Sequence, residues 1–259
     1  MAYVNPEPSL DDDIVEINEE PVSDYTRMDE VYFAFIDVLG FKKTFDDIRI
    51  SKEEDVADKY RDVFNYYFEL MNEAKFMERG ESTRCYAGQT SDSLYFYTDR
   101  SDFLVEFMRI FSHFNLYAMS KNVFFRGGIA KGNLYKKEKH QFYGNSVIYA
   151  YLMESVISKY PIIVVDEKTN EDMKKIPKYE SMIDCEKGRY YIKPFKYLYE
   201  DVTLDIMHPI KREIDVDKIK YNIEKNRSLF EYDAKNYEKY VFLKKQLDDC
   251  DNSNELGIQ

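Results

Sequence analysis

The chain contains few cysteines, and no two of them lie close together in the sequence. Only Cys85, Cys185 and Cys250 occur among 259 residues, and no CxxC motif is present. Scattered cysteines of this kind predict neither a disulfide framework nor a zinc site. They are typical of a protein of the reducing cytosol.

Long apolar runs are also absent. No stretch reaches the roughly 18 apolar residues that a membrane-spanning helix needs. The N-terminus has no basic segment followed by an apolar run, so we expect no signal peptide. We therefore predict a cytoplasmic protein that does not enter a membrane.

Basic residues are fewer than acidic residues. The chain has 37 lysines and arginines against 49 aspartates and glutamates, a net charge of −12. A general nucleic-acid binder normally shows a basic face, so no nucleic-acid partner is expected. A local basic pocket for one triphosphate stays compatible with this balance. The 24 tyrosines and 18 phenylalanines predict a strongly aromatic core for one large domain.

Three regions differ in pattern. Residues 1–27 are acidic and rich in proline, so we expect a mobile tail. Residues 28–205 read as β-α-α-β-β-α-β-α-β, which predicts an α+β fold with one main sheet covered by helices. Residues 206–259 form a helical extension, whose helical part runs from about Val216 to Leu247 and packs either on the core or on a second subunit.

Two aspartates occupy informative positions. Asp37 ends the apolar strand VYFAFID, where an unpaired ionised carboxylate is costly, so a metal ion is one candidate partner. Asp92 lies in a polar turn between two further strands, and it is either an ordinary turn residue or a second ligand. If the first strand neighbours that hairpin, both carboxylates reach one point and could hold two divalent cations beside a polyphosphate.

The residues that follow Asp37 add a second feature. The backbone amides of Leu39, Gly40 and Phe41 stand where a helix is expected to begin. Free N–H groups at the start of a helix attract phosphates, so these three residues are candidate substrate ligands.

Four segments occur in a fixed order: AFIDVLGF, TSDSLYF, FRGGIAKG and YGNSVIYAYLMES. Together they resemble the motifs of the class III nucleotidyl cyclase catalytic domain, over roughly residues 31–166. The resemblance implies a ferredoxin-like βαββαβ core with an antiparallel sheet, working as a head-to-tail homodimer with active sites at the interface. It also implies two divalent cations, Mg²⁺ or Mn²⁺, held by Asp37, Asp92 and Val38.

The sequence departs from the family at several positions. Ile148 stands where the family has a ribose-orienting asparagine, and Leu152 stands at the transition-state arginine. The positions that read a purine fall near Gly88 and Gln141, without the usual family pairs. The sequence thus keeps the metal-binding aspartates and the RGG strand of the family but lacks its purine-type last helix. It resembles in this respect the stand-alone bacterial pyrimidine cyclases of the Pycsar anti-phage type. That resemblance implies conversion of UTP or CTP to a cyclic monophosphate that activates a separate effector protein.

Other polar residues are candidates for binding and charge stabilisation. Gln141 can hydrogen-bond the edge of uracil or cytosine in an aromatic pocket, or it is an exposed loop residue. Arg126 and Lys131 are candidates to replace the missing arginine, and the alternative for Arg126 is a surface or interface ion pair. Weaker candidates for the same role are Arg84, Lys187 and Arg189.

Three hypotheses stand at this point. The first is the pyrimidine cyclase, favoured by the retention of Asp37 and Asp92. The second is a catalytically silent cyclase-like domain that binds a nucleotide or a partner protein, favoured by Ile148 and Leu152. A purine cyclase with different base-reading residues is the third.

Overall fold

The computed structural model describes residues 25–46, 53–74, 85–138, 141–177, 179–199 and 212–255. Most of the predicted acidic tail, the boundary proposed near residue 205, and Arg84 lie outside the described residues.

The described strands form one mixed sheet. Their bounds are β1 Thr26–Val38, β2 Cys85–Thr90, β3 Ser93–Thr98, β4 Phe125–Glu138, β5 Gln141–Tyr143, β6 Ile163–Val165, β7 Ile183–Glu186 and β8 Arg189–Ile192. The strand order is β2-β3-β1-β4-β6-β8-β7, and β5 pairs with β4. The prediction of an α+β fold is confirmed. The pairs among β2, β3, β1 and β4 are all antiparallel, as expected for the core, and the sheet is mixed because β6 runs parallel to β4.

Helices cover this sheet, and two more helices follow its last strand. Their bounds are α1 Phe41–Asp46, α2 Glu53–Glu73, α3 Ser101–Ser120, α4 Asn145–Leu152, α5 Glu167–Met173, α6 Tyr179–Met182, α7 Val216–Leu229 and α8 Ala234–Glu255. A π-helical turn, Met153–Ile157, continues α4. Serine and aspartate at the start of α3 are typical capping residues, but the N-cap is Arg100 and its side chain makes no capping hydrogen bond.

Alternate residues of β1 are buried on opposite faces of the sheet. Ala34, Ile36 and Val38 belong to the core formed with α2 and α3, whereas Val31 and Phe33 belong to a second core that includes residues of α4. Successive strand residues point to opposite faces. Asp37 therefore lies on the α4 face, at the C-terminal end of a central strand.

The C-terminal helices pack on the core, which is one of the two placements considered for the extension. Leu116 and Met119 of α3 form a buried cluster with Ile219, Ile223 and Leu243 of α7 and α8. The side-chain amide of Asn222 donates to the carbonyls of Met119 and Ser120, at 2.9 and 3.0 Å. These bonds satisfy carbonyls that the end of α3 leaves without an intrahelical partner.

Candidate functional site

Asp37 is held by the two neighbours of β1. It lies opposite Ser93 on β3 and opposite Arg126 on β4. The Ser93 hydroxyl donates to Asp37 Oδ1 at 2.9 Å. Burial raises the pKa of Asp37, and the charge of Asp92 adds to the rise, while the Ser93 hydrogen bond and the Arg126 charge oppose it. The carboxylate is thus oriented but only partly neutralised.

Asp92 completes an acidic pair with Asp37. The hairpin between β2 and β3 closes with two residues, Ser91 and Asp92, and Ser91 has a φ of +55°. Because Ser93 lies opposite Asp37, the preceding residue, Asp92, is brought within electrostatic reach of the same carboxylate. Asp92 is therefore both a turn residue and a neighbour of Asp37, and we call these two side chains the acidic pair.

Arg126 contacts a third carboxylate that sequence reasoning missed. Its Nε lies 2.7 Å from Glu154 Oε1, and Glu154 is almost fully buried. Neither atom has a well-directed hydrogen-bond partner among the described residues, so the contact is electrostatic. Burial raises the pKa of Glu154; Arg126 opposes this, and the acidic pair adds to it. Arg126 is thus ion-paired, but with a buried carboxylate inside the site and not on the surface.

Gly128 allows the α4 segment to approach β4 closely enough for this contact. A Cβ at Gly128 would lie 2.5 Å from the Ala150 carbonyl oxygen and 2.5 Å from the Met153 Cβ. A side chain at this position would push the π-helical turn away from the strand. Glu154 belongs to that turn, and π-helical turns occur frequently at functional sites.

The acidic pair fits a divalent cation shared with a substrate. Among the described residues, no group of three or more histidine, cysteine, aspartate or glutamate side chains is arranged to hold a metal ion. Mg²⁺ is usually bound by one or two protein carboxylates together with substrate phosphates. Asp37 and Asp92 match that smaller set, and Glu154 is occupied by Arg126. The Val38 amide supports the set by hydrogen-bonding Asp37.

The predicted phosphate-binding amides are only partly available. The Leu39 N–H donates to the Phe124 carbonyl at 2.8 Å, so it serves the fold rather than a phosphate. Gly40 has a φ of +76°, and its carbonyl accepts from the Thr44 amide at 3.1 Å as α1 begins. The first amides of a helix have no acceptor within it, so Gly40 and Phe41 remain candidates.

The structure does not bring Lys131 to the acidic pair. Lys131 lies opposite Tyr32, five residues along β4 from Arg126 and therefore on the other face of the sheet. Its ammonium contacts Asp172 at 2.6 Å and Glu30 at 2.5 Å. These ion pairs indicate a structural role for Lys131, on the face of the sheet that α2 and α3 cover.

Gln141 lies at the opposite end of the sheet. It begins β5 and pairs with Glu138, twelve residues along β4 from Arg126. At about 3.3 Å per residue this separation is roughly 40 Å. One chain cannot bring Gln141 and Asp37 to the same small ligand, so Gln141 could reach such a ligand only from a second copy.

Two positions that departed from the cyclase motifs lie on an exposed surface. Ile148 and Leu152 are 56% and 44% exposed on α4. They form part of an apolar patch, which we call the α4 apolar face: Tyr143, Ile148, Tyr149, Tyr151, Leu152 and Val156. A cavity of about 570 Å³ lies beside it and is lined by both Leu152 and Arg189. Lys187 lies in the adjoining turn between β7 and β8.

No side chain can read a base at Gly88. A Cβ there would lie 2.4 Å from the ring of Tyr95, which covers the glycine from the neighbouring strand. The position that resembled a purine-reading residue is therefore filled by an aromatic ring.

A basic cleft of about 600 Å³ lies next to the acidic pair, between α1, α2 and the start of α8. Lys43, Lys59 and Lys239 line it. Sequence reasoning did not select these lysines, since they come from three helices and share no motif.

Comparison with known proteins does not assign the chain to a family: no family model matches it, and no curated protein is similar to it. None of the described helices is long and apolar enough to cross a membrane. Function is therefore inferred from the residues at the end of β1.

Proposed function

We propose that the protein is a nucleotide cyclase that converts UTP or CTP to the 3′,5′-cyclic monophosphate and pyrophosphate. The observation that carries the proposal is the acidic pair, in which Asp37 lies opposite Ser93 and within reach of Asp92. The connectivity β1-α2-β2-β3-α3-β4 and the strand order β2-β3-β1-β4 support the ferredoxin-like core that the class III resemblance implies.

Asp37 and Asp92 would hold Mg²⁺ or Mn²⁺. Bound divalent ions would supply charge neutralisation for the triphosphate and acidify the ribose 3′-hydroxyl. The hydroxyl loses its proton to solvent, its oxygen forms a bond to the α-phosphorus in line, the bond from that phosphorus to the β-phosphate bridge breaks, and pyrophosphate leaves.

The protein residues of the site orient this reaction. The Ser93 hydrogen bond holds Asp37 in one rotamer. Arg126, opposite Asp37 on β4, is the cation best placed to stabilise negative charge that develops on the α-phosphoryl group. Glu154 restricts the Arg126 guanidinium, so we assign it a positioning role.

A second copy of the chain is the proposed partner. The α4 apolar face is larger than the single apolar residues that a monomer normally exposes, and surfaces of this kind mark interaction sites. A head-to-tail pair would also bring Gln141 of one copy towards the acidic pair of the other. Within this proposal Ile148 and Leu152 serve association rather than chemistry, and Arg189 borders the same surface.

The choice of a pyrimidine base depends on resemblance, with one structural support. The ring of Tyr95 leaves no room for a base-reading side chain at Gly88, so reading of a purine by the usual class III positions is disfavoured. The further role, in which the cyclic product activates a separate effector in anti-phage defence, follows from the resemblance to the Pycsar group.

The test is an activity assay with each nucleotide separately. The purified protein is incubated with ATP, GTP, CTP or UTP and Mn²⁺, and products are identified by mass spectrometry. We expect cyclic UMP or cyclic CMP, and a loss on the order of 10²-fold or more in Asp37→Asn and Asp92→Asn, as when a charge-stabilising group is removed from an active site.

Asp58→Asn is the matched control, because Asp58 is an exposed carboxylate paired with Arg61 on α2. Its activity should equal that of the wild type. A cyclic product formed equally well by Asp37→Asn would contradict the proposed site.

A catalytically silent nucleotide-binding domain is the second candidate. Apolar Ile148 and Leu152, together with the pairing of Arg126 to Glu154, favour it. Saturable nucleotide binding without any cyclic product from the four nucleotides would support this function over the enzyme.

A further inference from the structure

The basic cleft has the size and walls of a small-molecule site. Its volume of about 600 Å³ lies within the range of ligand pockets, roughly 300–1,000 Å³. Tyr60, Phe124, Phe230 and Tyr240 contribute aromatic walls, and Asn122 and Asn236 contribute amides. The cleft is thus a mixed polar and aromatic site built from four separate parts of the chain.

Three lysines line this cleft, and the nearest carboxylate, Asp233, acts on Lys43 and Lys239 only through its charge. Among the described residues, Lys43, Lys59 and Lys239 form no ion pair; Lys43 lies over the Phe230 ring at 5.6 Å, and Lys59 over the Tyr60 ring at 4.7 Å. The Lys239 ammonium donates to the Asn236 amide oxygen at 2.8 Å. In a chain of net charge −12, such a concentration of unpaired lysines is conspicuous.

The one carboxylate that lines the cleft has another role. Asp233 precedes α8 and accepts hydrogen bonds from the amide and the side chain of Asn236, at 3.3 and 2.6 Å. It offsets at most one of the three positive charges. The cleft therefore keeps a net positive charge.

Burial and neighbouring positive charges disfavour the charged forms of Lys59 and Lys239 in the free protein. Burial lowers the pKa of Lys59, and the charge of Lys225 adds to this effect. Burial also lowers the pKa of Lys239; the charges of Arg126 and Lys235 add to this effect, and that of Asp233 opposes it. An anion in the cleft would relieve these repulsions, whereas a cation or a neutral ligand would not.

The cleft lies next to the acidic pair, although neither Asp37 nor Asp92 lines it. Leu39 and Gly40 line it and follow directly after the strand that carries Asp37. The charge of Asp92 reaches Tyr60, and that of Arg126 reaches Lys239. A ligand that spans both places would meet two carboxylates at one end and three ammonium groups at the other.

We infer that the basic cleft binds the polyphosphate part of a nucleotide, with Lys59 and Lys239 as the principal ligands. That the ligand is a nucleotide rests on the proposed function, whereas the affinity of the cleft for condensed phosphate does not. Helix α8 is then part of the site, and Lys239 adds a positive charge to that of Arg126.

The test measures binding of inorganic tripolyphosphate and pyrophosphate by calorimetry, without divalent metal or nucleotide. The variants are Lys59→Gln, Lys239→Gln and the double variant. We expect the double variant to bind at least tenfold more weakly, the size expected when about 1.4 kcal/mol of binding free energy is lost. Lys245→Gln, an exposed lysine of the same helix that does not line the cleft, is the control and should bind as the wild type.

A purely structural role for the lysines is distinguished by thermal unfolding. Glutamine removes like-charge repulsion in the cleft, so the melting temperature of the double variant should stay equal or rise. A wild type that does not bind tripolyphosphate overturns the inference. So does a double variant that binds it as tightly as the wild type.

The two proposals fail separately. Tripolyphosphate binding that depends on the lysines, in a protein that makes no cyclic product, would keep the cleft and remove the cyclase. Cyclic product with an unchanged KM for the nucleotide in the double variant would keep the cyclase and overturn the cleft.

Discussion

Asp37 is half-buried at the end of β1, and burial together with the charge of Asp92 raises its pKa. A carboxyl whose pKa is higher in the folded protein than in the unfolded chain favours folding when it is protonated. Its contribution is fully present below the unfolded pKa and is lost as the pH rises through the folded pKa. At neutral pH without metal, Asp37 therefore costs stability.

We predict that Asp37→Asn is more stable than the wild type at neutral pH in the absence of metal. Asparagine keeps an oxygen that accepts from the Ser93 hydroxyl but removes the charge beside Asp92. The gain should be on the order of 0.5–1 kcal/mol in urea unfolding, and it should shrink as the pH falls below the folded pKa.

Addition of Mn²⁺ provides the complementary measurement. A ligand that binds only the folded state raises the melting temperature, so the wild type should gain and Asp37→Asn should not. Equal gains in both proteins would contradict metal binding at Asp37.

Sequence reasoning reached some site residues and missed others for a physical reason. Asp37 is visible because apolar neighbours surround it, and Asp92 because it stands in a polar turn. Glu154 and Lys239 look like ordinary polar residues of amphipathic helices. Their roles depend on distances between elements far apart in the chain, which local patterns do not encode.

The contact between β4 and the end of α4 is the feature of the fold on which the position of Glu154 depends. Gly128 is the residue that permits it, because the Ala150 carbonyl and the Met153 side chain fill the space where a Cβ would lie. The π-helical turn that follows keeps Glu154 buried against Arg126.

We predict that Gly128→Ala destabilises the protein by about 1–3 kcal/mol, the usual cost of overpacking a well-packed interior. Urea unfolding followed by circular dichroism measures it. Any cyclase activity should fall further than stability does, because Glu154 and Arg126 move apart.

Gly188→Asn is the control for this substitution. Gly188 has a φ of +75° but no atoms within 4 Å of an added Cβ, and asparagine tolerates that backbone conformation. A Gly128→Ala variant as stable as Gly188→Asn would show that the contact is not tight.

The longer elements and the apolar strand β6 were predictable, but the other short strands were not. The helices α2 and α3 and the β2–β3 hairpin follow clear periodicities, and each was expected from the sequence. The strands β5, β7 and β8 have three or four residues, too few for an alternating pattern to show. The break between α7 and α8 contains neither glycine nor proline, so nothing in its composition indicates it.

The α4 apolar face is the feature of the whole molecule from which we predict self-association. Leu152 and Val156 are 44% and 64% exposed on the described structure of one chain. Contact with a second copy would remove this area from water, which favours association by roughly 25 cal/mol per Å² of apolar surface.

We predict that the wild type has twice the monomer mass in size-exclusion chromatography with light scattering, and that Leu152→Glu with Val156→Glu is a monomer. The substituted positions are exposed, so the fold should be kept. Cyclase activity should fall in the monomer if the site is shared between copies.

Tyr221→Glu is the matched control, since Tyr221 is 63% exposed on α7, outside the α4 apolar face. This variant should keep the wild-type mass. A wild type that is monomeric at micromolar concentration would contradict the homodimer.

The central position of β1 has a consequence for synthesis on the ribosome. The first described strand finds its two neighbours in β3 and in β4, which ends at Glu138. The chain must therefore be synthesised through Glu138 before the nascent strand is paired on both sides, and Lys239 of α8 follows later still. If the site works as proposed, products that end before Lys239 lack a complete active centre, and signal synthesis waits until α8 has been made.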